Sequence, residues 1–377
     1  MSDLSFAGHR HRMKKEFVFL AIMFILGVLP GAAQPSLKEV FKTHFLVGAA
    51  LNARQFTGQD QRESQLAASQ FNSSTPENVL KWGLVHPRPG VYDFSLPDKY
   101  VEFGEKSGMV IIGHTLVWHN QTPKWVFEDS LGKPVDRETL LKRMHDHILT
   151  VVGRYRGRIK GWDVVNEALN EDGSLRQTPW MKIIGEEYLV KAFEFAHEAD
   201  PAAELYYNDY SLENAPKREG AIALIRKLQS AGITVAAVGT QGHYKMDWPA
   251  PSMVDSTIVQ FSRLGVKVNV TELDIDVVPA TQVNRGADLS MNAYHVTRED
   301  LYANGLPDSV QSELALRYSG LFAAFLRHPG IVGRVTFWGV TDGDSWLNTP
   351  GRVNYPLLFD REGKPKPAFD AVVKTAK

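Results

Sequence analysis

The chain has 377 residues, a formal net charge of −1 and no cysteine. Near-neutral charge argues against a general polyanion binder, and the absence of thiols excludes disulfides, thiolate metal sites and a cysteine nucleophile. The length suits one α/β barrel with insertions or two medium domains.

The first element is Lys14-Lys15 followed by the apolar run FVFLAIMFILGVL and then Pro30-Gly31-Ala32-Ala33. A basic start, a short apolar stretch and small residues at its end are the pattern of an export signal, with the cut expected after Ala33. The run is shorter than the roughly 20 apolar residues a spanning helix needs, so an uncleaved anchor is the lesser alternative. The start codon is read as Met1 or Met13. Residues 1–33 are therefore set apart from the fold, and residues 36–377 are read as one catalytic domain.

From residue 36 onward, β-rich runs alternate with helical patterns. The runs are FLVGAAL (45–51), FNSST (71–75), MVIIGHTLVW (109–118), IKGWDVVNE (159–167), ELYYNDY (204–210), VAAVGTQGH (235–243), VKVNVTELDI (266–275) and VGRVTFWGV (332–340). Between them, Leu189, Ala192, Phe193 and Ala196 share one helical face. Ile222, Ile225 and Leu228 share another, with Gln229 beside them and Gly232 as a stop signal. Eight strands alternating with helices, each apolar on both sides, predict parallel β structure covered by helices. Eight such units close most simply into an α/β fold of the (β/α)8 (TIM) barrel type, with the active site at the C-terminal ends of the strands. An open doubly wound sheet would instead place a GxGxxG turn after the first strand, and none is there.

Polar residues gather where seven of these runs end. The second leads into Glu77, Asn78, Lys81 and Trp82. The third ends in His114, Trp118 and His119, and the fourth in Asn166-Glu167. The fifth ends in Asn208, Asp209 and Tyr210, and the sixth carries Gln241 and His243. The seventh ends in Glu272 and Asp274, and the eighth in Trp338, with Trp346 soon after. A single His, Trp or Glu at a strand end is ordinarily structural. So many together are not, because desolvating that many polar groups without use is costly.

Glu167 and Glu272 end the fourth and seventh strands, which face each other across an eight-stranded barrel. Paired carboxylates over a cleft lined with Trp and Tyr suggest glycoside hydrolysis. Indole faces suit the apolar faces of sugars, and amides and imidazoles suit their hydroxyls. A metal-dependent hydrolase built on His114, His119 and His243 is the rival, but no H-x-H or H-E-x-x-H spacing supports it.

The motifs PENVLKW (76–82), GHTLVWH (113–119), WDVVNE (162–167), YYNDY (206–210), GTQGH (239–243), VTELD (270–274) and TFWGVTDGDSW (336–346) occur in that order over nearly the whole chain after the leader. With them the chain resembles the glycoside hydrolase family 10 endo-β-1,4-xylanases. The resemblance implies retaining hydrolysis of internal xylan bonds, with Glu167 as acid/base and Glu272 as nucleophile. It gives Asn166 to the 2-hydroxyl beside the cleaved bond, and His243 with Asp274 to the orientation of the nucleophile. Glu77, Asn78 and Lys81 match the donor-side cluster. His114, Trp118 and Gln241 match contacts around the reacting sugar, Trp338 and Trp346 its aromatic walls, and Tyr210 an acceptor-side stacking residue. No metal or organic cofactor is implied. The expected partners are xylan and xylo-oligosaccharides, with no nucleic acid and no membrane insertion of the mature chain, and a monomer is expected.

The chemistry fits the assignment. Glu272 must stay ionised, which a hydrogen bond from His243 favours. Glu167 must hold a proton, which the charge of Glu272 is expected to favour until the glycosyl-enzyme forms. Two departures from the pattern stand out. Leu347 follows Trp346 where many relatives carry Arg, and residues 276–308 are long for a strand-to-helix connection. That segment is expected to form an extra wall over the acceptor side, with an ornamental loop as the alternative. Two further rivals share the barrel: a non-catalytic xylan-binding module, which loss of either glutamate would favour, and a β-1,4-glucanase.

Overall fold

The computed structural model describes Met1, residues 35–279 and residues 300–377. Residues 2–34, on which the expected leader (1–33) falls, and residues 280–299 of the long 276–308 connection lie outside the described residues. Nine strands are described: β1 (Leu46–Leu51), β2 (Ser73–Pro76), β3 (Val110–Val117), β4 (Gly161–Asn166), β5 (Glu204–Asp209), β6 (Ala237–Thr240), β7 (His243–Lys245), β8 (Lys267–Asp276) and β9 (Val332–Phe337). All pairings between them are parallel. They run β1 to β6 in sequence, then β8 and β9, and β9 returns to β1 with Leu46 opposite Arg334. The β6–β8 pairing, Ala237 opposite Lys267, closes the ring. The fold is a (β/α)8 barrel, as the alternation of strands and helices predicts.

The extra strand is a correction to the sixth run, expected as one strand over 235–243. The chain leaves the ladder at Gln241-Gly242 and resumes as β7, which among the described residues pairs with β8 alone, His243 opposite Asp274. The reason is local. Gly242 has φ +84° and lies so close to β8 that a Cβ there would sit 2.9 Å from a Val270 methyl. Glycine makes that left-handed step without steric cost, and the step brings His243 over the ring of strand ends.

The helices cover the barrel with the faces their patterns predict. Leu189, Ala192, Phe193 and Ala196 on Glu187–Ala199 are all buried, as are Ile222, Ile225 and Leu228 on Ala215–Ser230. Gln229 is exposed and reaches the carbonyl of Leu264. Asp136 caps Arg137–Arg154 by accepting from the Thr139 amide at 2.8 Å, and such a cap is worth about 1 kcal/mol. On both faces of the sheet, large side chains fill space left by glycines. A Cβ on Gly113 would lie 2.1 Å from the Trp162 ring, and one on Gly161 would lie 2.3 Å from the Tyr206 hydroxyl.

Candidate active site

Each carboxylate stands where an apolar strand meets the open end of the barrel. Glu167 directly follows β4. It adopts φ +57°, and its amide donates to the Asn208 carbonyl at 2.9 Å. That turn sends the side chain across the mouth rather than along the strand. Glu272 lies within β8, with its amide donating to the Gln241 carbonyl at 2.6 Å. Both side chains are buried.

One amide relay joins them. The Asn208 Nδ2 donates to Glu272 Oε1 at 2.9 Å and to Asn166 Oδ1 at 2.9 Å. Asn166 Nδ2 donates to Glu167 Oε1 at 3.3 Å, and Gln241 Nε2 reaches the same oxygen at 3.0 Å. The Asn208 amide is oriented in turn by the Thr271 hydroxyl, which donates to its Oδ1 at 2.7 Å. Gly239 leaves the space for this: a Cβ there would lie 2.3 Å from Asn208 Oδ1.

The two carboxyl groups sit in opposite electrostatic surroundings. Glu167 Oε2 accepts from the Trp118 indole at 2.9 Å. Burial above all, and then the charge of Asp209, raises the Glu167 pKa to about 7 against the hydrogen bonds from Gln241 and Trp118. The charge of Glu272 adds to this, but less than that of Asp209. Glu272 thus acts on Glu167 in the expected direction, but the larger cause is the desolvated pocket around the Glu167 carboxyl group. Burial presses on Glu272 in the same direction, but there it is outweighed. The His243 hydrogen bond and the charges of His114, His243 and Lys81 bring the Glu272 pKa below its ordinary value.

His243 is the hinge of that difference. Its Nε2 lies 3.2 Å from Glu272 Oε2 and its Nδ1 lies 3.0 Å from Asp274 Oδ1. Burial alone favours the neutral ring, yet the flanking Asp274 and Glu272 raise its pKa to about 10. The imidazolium therefore donates to both carboxylates at neutral pH. The Trp346 indole fixes Asp274 from the other side, donating to Oδ2 at 2.7 Å.

The predicted donor-side residues come together. Lys81 Nζ donates to Asn78 Oδ1 at 3.1 Å, and Asn78 Nδ2 donates to Glu77 Oε1 at 3.2 Å. The Lys81 ammonium lies 5.1 Å from the Trp118 ring and 6.0 Å from that of Trp338. His114 stands edge-on to Trp338 with its Nδ1 2.9 Å from Asp163 Oδ2. Leu347, at the position noted for lacking Arg, is buried. Tyr210 is placed differently from an open stacking platform: the Lys217 ammonium lies 3.3 Å from its ring centroid, and its hydroxyl accepts from Arg176 at 2.7 Å. Among the described residues, no three His, Asp or Glu side chains converge as a metal site.

Sequence reasoning left several contributors without a role. Asn208 was visible only as a polar strand end. Its bridging position follows from register, since β4 and β5 set Asn166 opposite Asn208. Asp163 lies within the WDVVNE motif but was given no role; its contact with His114 follows from register, since β3 and β4 set the two opposite each other. Gln121, with φ +51°, brings its amide to 3.4 Å from Asn78 Oδ1.

A barrel mouth in which one buried carboxyl group keeps its proton, another is held ionised, and indoles and amides surround both is the working end of a glycoside hydrolase. Comparison with known proteins agrees. The model of glycosyl hydrolase family 10 matches residues 36–375. An endo-1,4-beta-xylanase A from Xylanibacter ruminicola is 43% identical over 360 residues, covering 93% of this chain and 98% of the relative. A beta-1,4-xylanase from Dictyoglomus thermophilum is 42% identical over 366 residues, covering 95% and 97%. Among solved structures, a GH10 endoxylanase retrieved from a sugarcane soil metagenome matches with a TM-score of 0.86 at 40% identity, over 91% of this chain and 100% of that one. The chain belongs to glycosyl hydrolase family 10.

Proposed function

We propose that the protein is an endo-β-1,4-xylanase that cleaves internal xylan bonds with retention of anomeric configuration. The observation that carries this reading is the pair Glu167 and Glu272, joined through Asn166 and Asn208 and held in opposite protonation states. In the first step a Glu272 carboxylate oxygen attacks the anomeric carbon. The glycosidic bond breaks, and the Glu167 proton passes to the departing oxygen, leaving a glycosyl ester on Glu272. In the second step Glu167, now a carboxylate, takes a proton from water. The water oxygen attacks the same carbon, and Glu272 leaves as a carboxylate.

The remaining groups support this chemistry. In this reading the Asn166 amide serves the 2-hydroxyl, where a hydrogen bond strengthens as the oxocarbenium-like transition state forms. Lys81, Glu77 and Asn78 line the donor side, and the indoles of Trp338 and Trp346 wall it. Xylose lacks the hydroxymethyl arm of glucose, so crowding by Lys81 and these indoles favours xylan over glucan by about 1–3 kcal/mol. The leader is assigned to export, with the mature chain beginning at Gln34.

Two variants test the reading. Glu272→Ala abolishes turnover, and added azide restores it with an inverted glycosyl azide. Glu167→Gln loses activity severely on xylan and mildly on aryl xylobiosides with activated leaving groups. Normal turnover in the first, or equal loss on both substrates in the second, contradicts the assignment.

A further inference from the structure

Behind the Glu167 turn lies a buried ion pair that no step of the mechanism uses. Asp209 ends β5 and Lys217 stands near the start of the helix Ala215–Ser230. Their side chains are wholly inaccessible, with Lys217 Nζ 3.1 Å from Asp209 Oδ1. A buried pair of this kind is weak evidence for stability, because desolvation offsets much of the attraction. What else each partner touches points to another role. Asp209 Oδ2 accepts from the Leu169 amide at 3.3 Å and from the Tyr207 hydroxyl at 2.5 Å. Leu169 is two residues beyond Glu167, on the same turn. The Leu169 carbonyl accepts from Arg176 at 3.2 Å, and Arg176 also donates to the Tyr210 hydroxyl. Lys217 lies over the Tyr210 ring and reaches Glu171 at 3.1 Å, further along the loop that carries Leu169.

Glu167 holds a left-handed backbone conformation that costs a non-glycine residue free energy and persists only when its surroundings enforce it. The Asn208 carbonyl secures the near side of that turn, and the Asp209 carboxylate secures the far side. We infer that the Asp209–Lys217 pair is a positioning device for the acid/base: Asp209 fixes the turn that aims the Glu167 carboxyl, and Lys217 balances the negative charge that Asp209 places behind it. The inference rests on the reading of Glu167 as acid/base. Neither residue touches substrate.

The charged groups around Glu167 define how this device is read out. Asp209 faces it from β5, Glu272 from β8 with His243 behind, and Lys81 from the turn after β2. Asp209 meets Lys217 from the helix and Tyr207 from its own strand, and its charge is felt at Tyr188. Asp209 is the second cause, after burial, of the proton retention at Glu167. Removing its charge makes ionised Glu167 easier to form.

The test is the pH profile of kcat/KM on xylotetraose, a substrate whose leaving group needs a proton. Asp209→Asn keeps an acceptor for the Leu169 amide but removes the charge. The alkaline limb is expected to move down by about one pH unit, the lower end of the shift a neighbouring charge produces. Asp209→Asn/Lys217→Met removes both charges, leaves no unpaired buried ammonium, and is expected to move the limb in the same direction by less. A limb unmoved in either folded variant, or a change in melting temperature alone, overturns the inference. So does failure of both variants to fold, which makes the pair a determinant of the fold instead. Glu167→Gln is measured alongside on xylotetraose and an activated aryl xylobioside. Equal losses there defeat the acid/base reading itself, whereas leaving-group-dependent losses beside an unmoved Asp209→Asn limb defeat only the inference.

Discussion

Replacing His243 with Asn removes the cation that stands between Glu272 and Asp274. In the native site the ring donates to Glu272 at 3.2 Å and to Asp274 at 3.0 Å and keeps its proton to about pH 10. An opposite charge at this range lowers a carboxyl pKa by about 1–3 units. At 1.36 kcal/mol per unit that is about 1.4–4 kcal/mol of preference for the ionised nucleophile. The variant also leaves the Asp274 charge without its partner, which pushes Glu272 the same way. The sign follows: the Glu272 pKa rises, so the nucleophile is lost to protonation at a higher pH. The acid limb of kcat/KM on an activated aryl xylobioside should move up by at least about one unit, with about tenfold less activity on the acid side of the profile. His243 itself should contribute no ionisation near 6.5 in the wild type, because it stays charged through that range. A folded variant with an unmoved acid limb would refute this account of how Glu272 is kept ionised.

Three further outcomes are expected. In the wild type, kcat/KM on xylotetraose should fall as pH rises through about 7, where Glu167 loses its proton, while on aryl glycosides that need no acid the fall should weaken; a pH–rate series checks both. Gly239→Ala places a methyl 2.3 Å from Asn208 Oδ1, so the relay to Glu272 must shift. A misplacement of this order costs about 10²-fold in kcat, read from initial rates, with unchanged rates in a folded variant opposing the bridging role of Asn208. Gly113→Ala drives a Cβ to 2.1 Å from the Trp162 ring and should destabilise the barrel by about 1–3 kcal/mol, measured by urea denaturation.

Much of the barrel is legible in the chain because its strands are β-rich and seven of the eight runs are closed by polar residues. The catalytic candidates stand out for the same reason, as carboxylates ending apolar runs. Three features are not legible, and each depends on register or burial rather than residue type. The break at Gln241-Gly242 lies inside a run of strand formers, and only the approach of Gly242 to Val270 exposes it. Asn208 looks like Asp209 and Tyr210 beside it until pairing sets it opposite Asn166. Lys217, in a helix that also carries the exposed charges Glu219, Arg226 and Lys227, reads as a solvated lysine and is instead fully buried against Asp209. The source of the Glu167 proton affinity was hidden likewise, since a sequence shows that Glu272 exists but not how dry the Glu167 pocket is.

The central claim is that Glu272 attacks the sugar and Glu167 supplies and then removes the proton. Proton NMR of the first hydroxyl-bearing product from xylohexaose, recorded before mutarotation, tests it most directly. The account predicts the β-anomer at the newly formed reducing end; the α-anomer appearing first would contradict it.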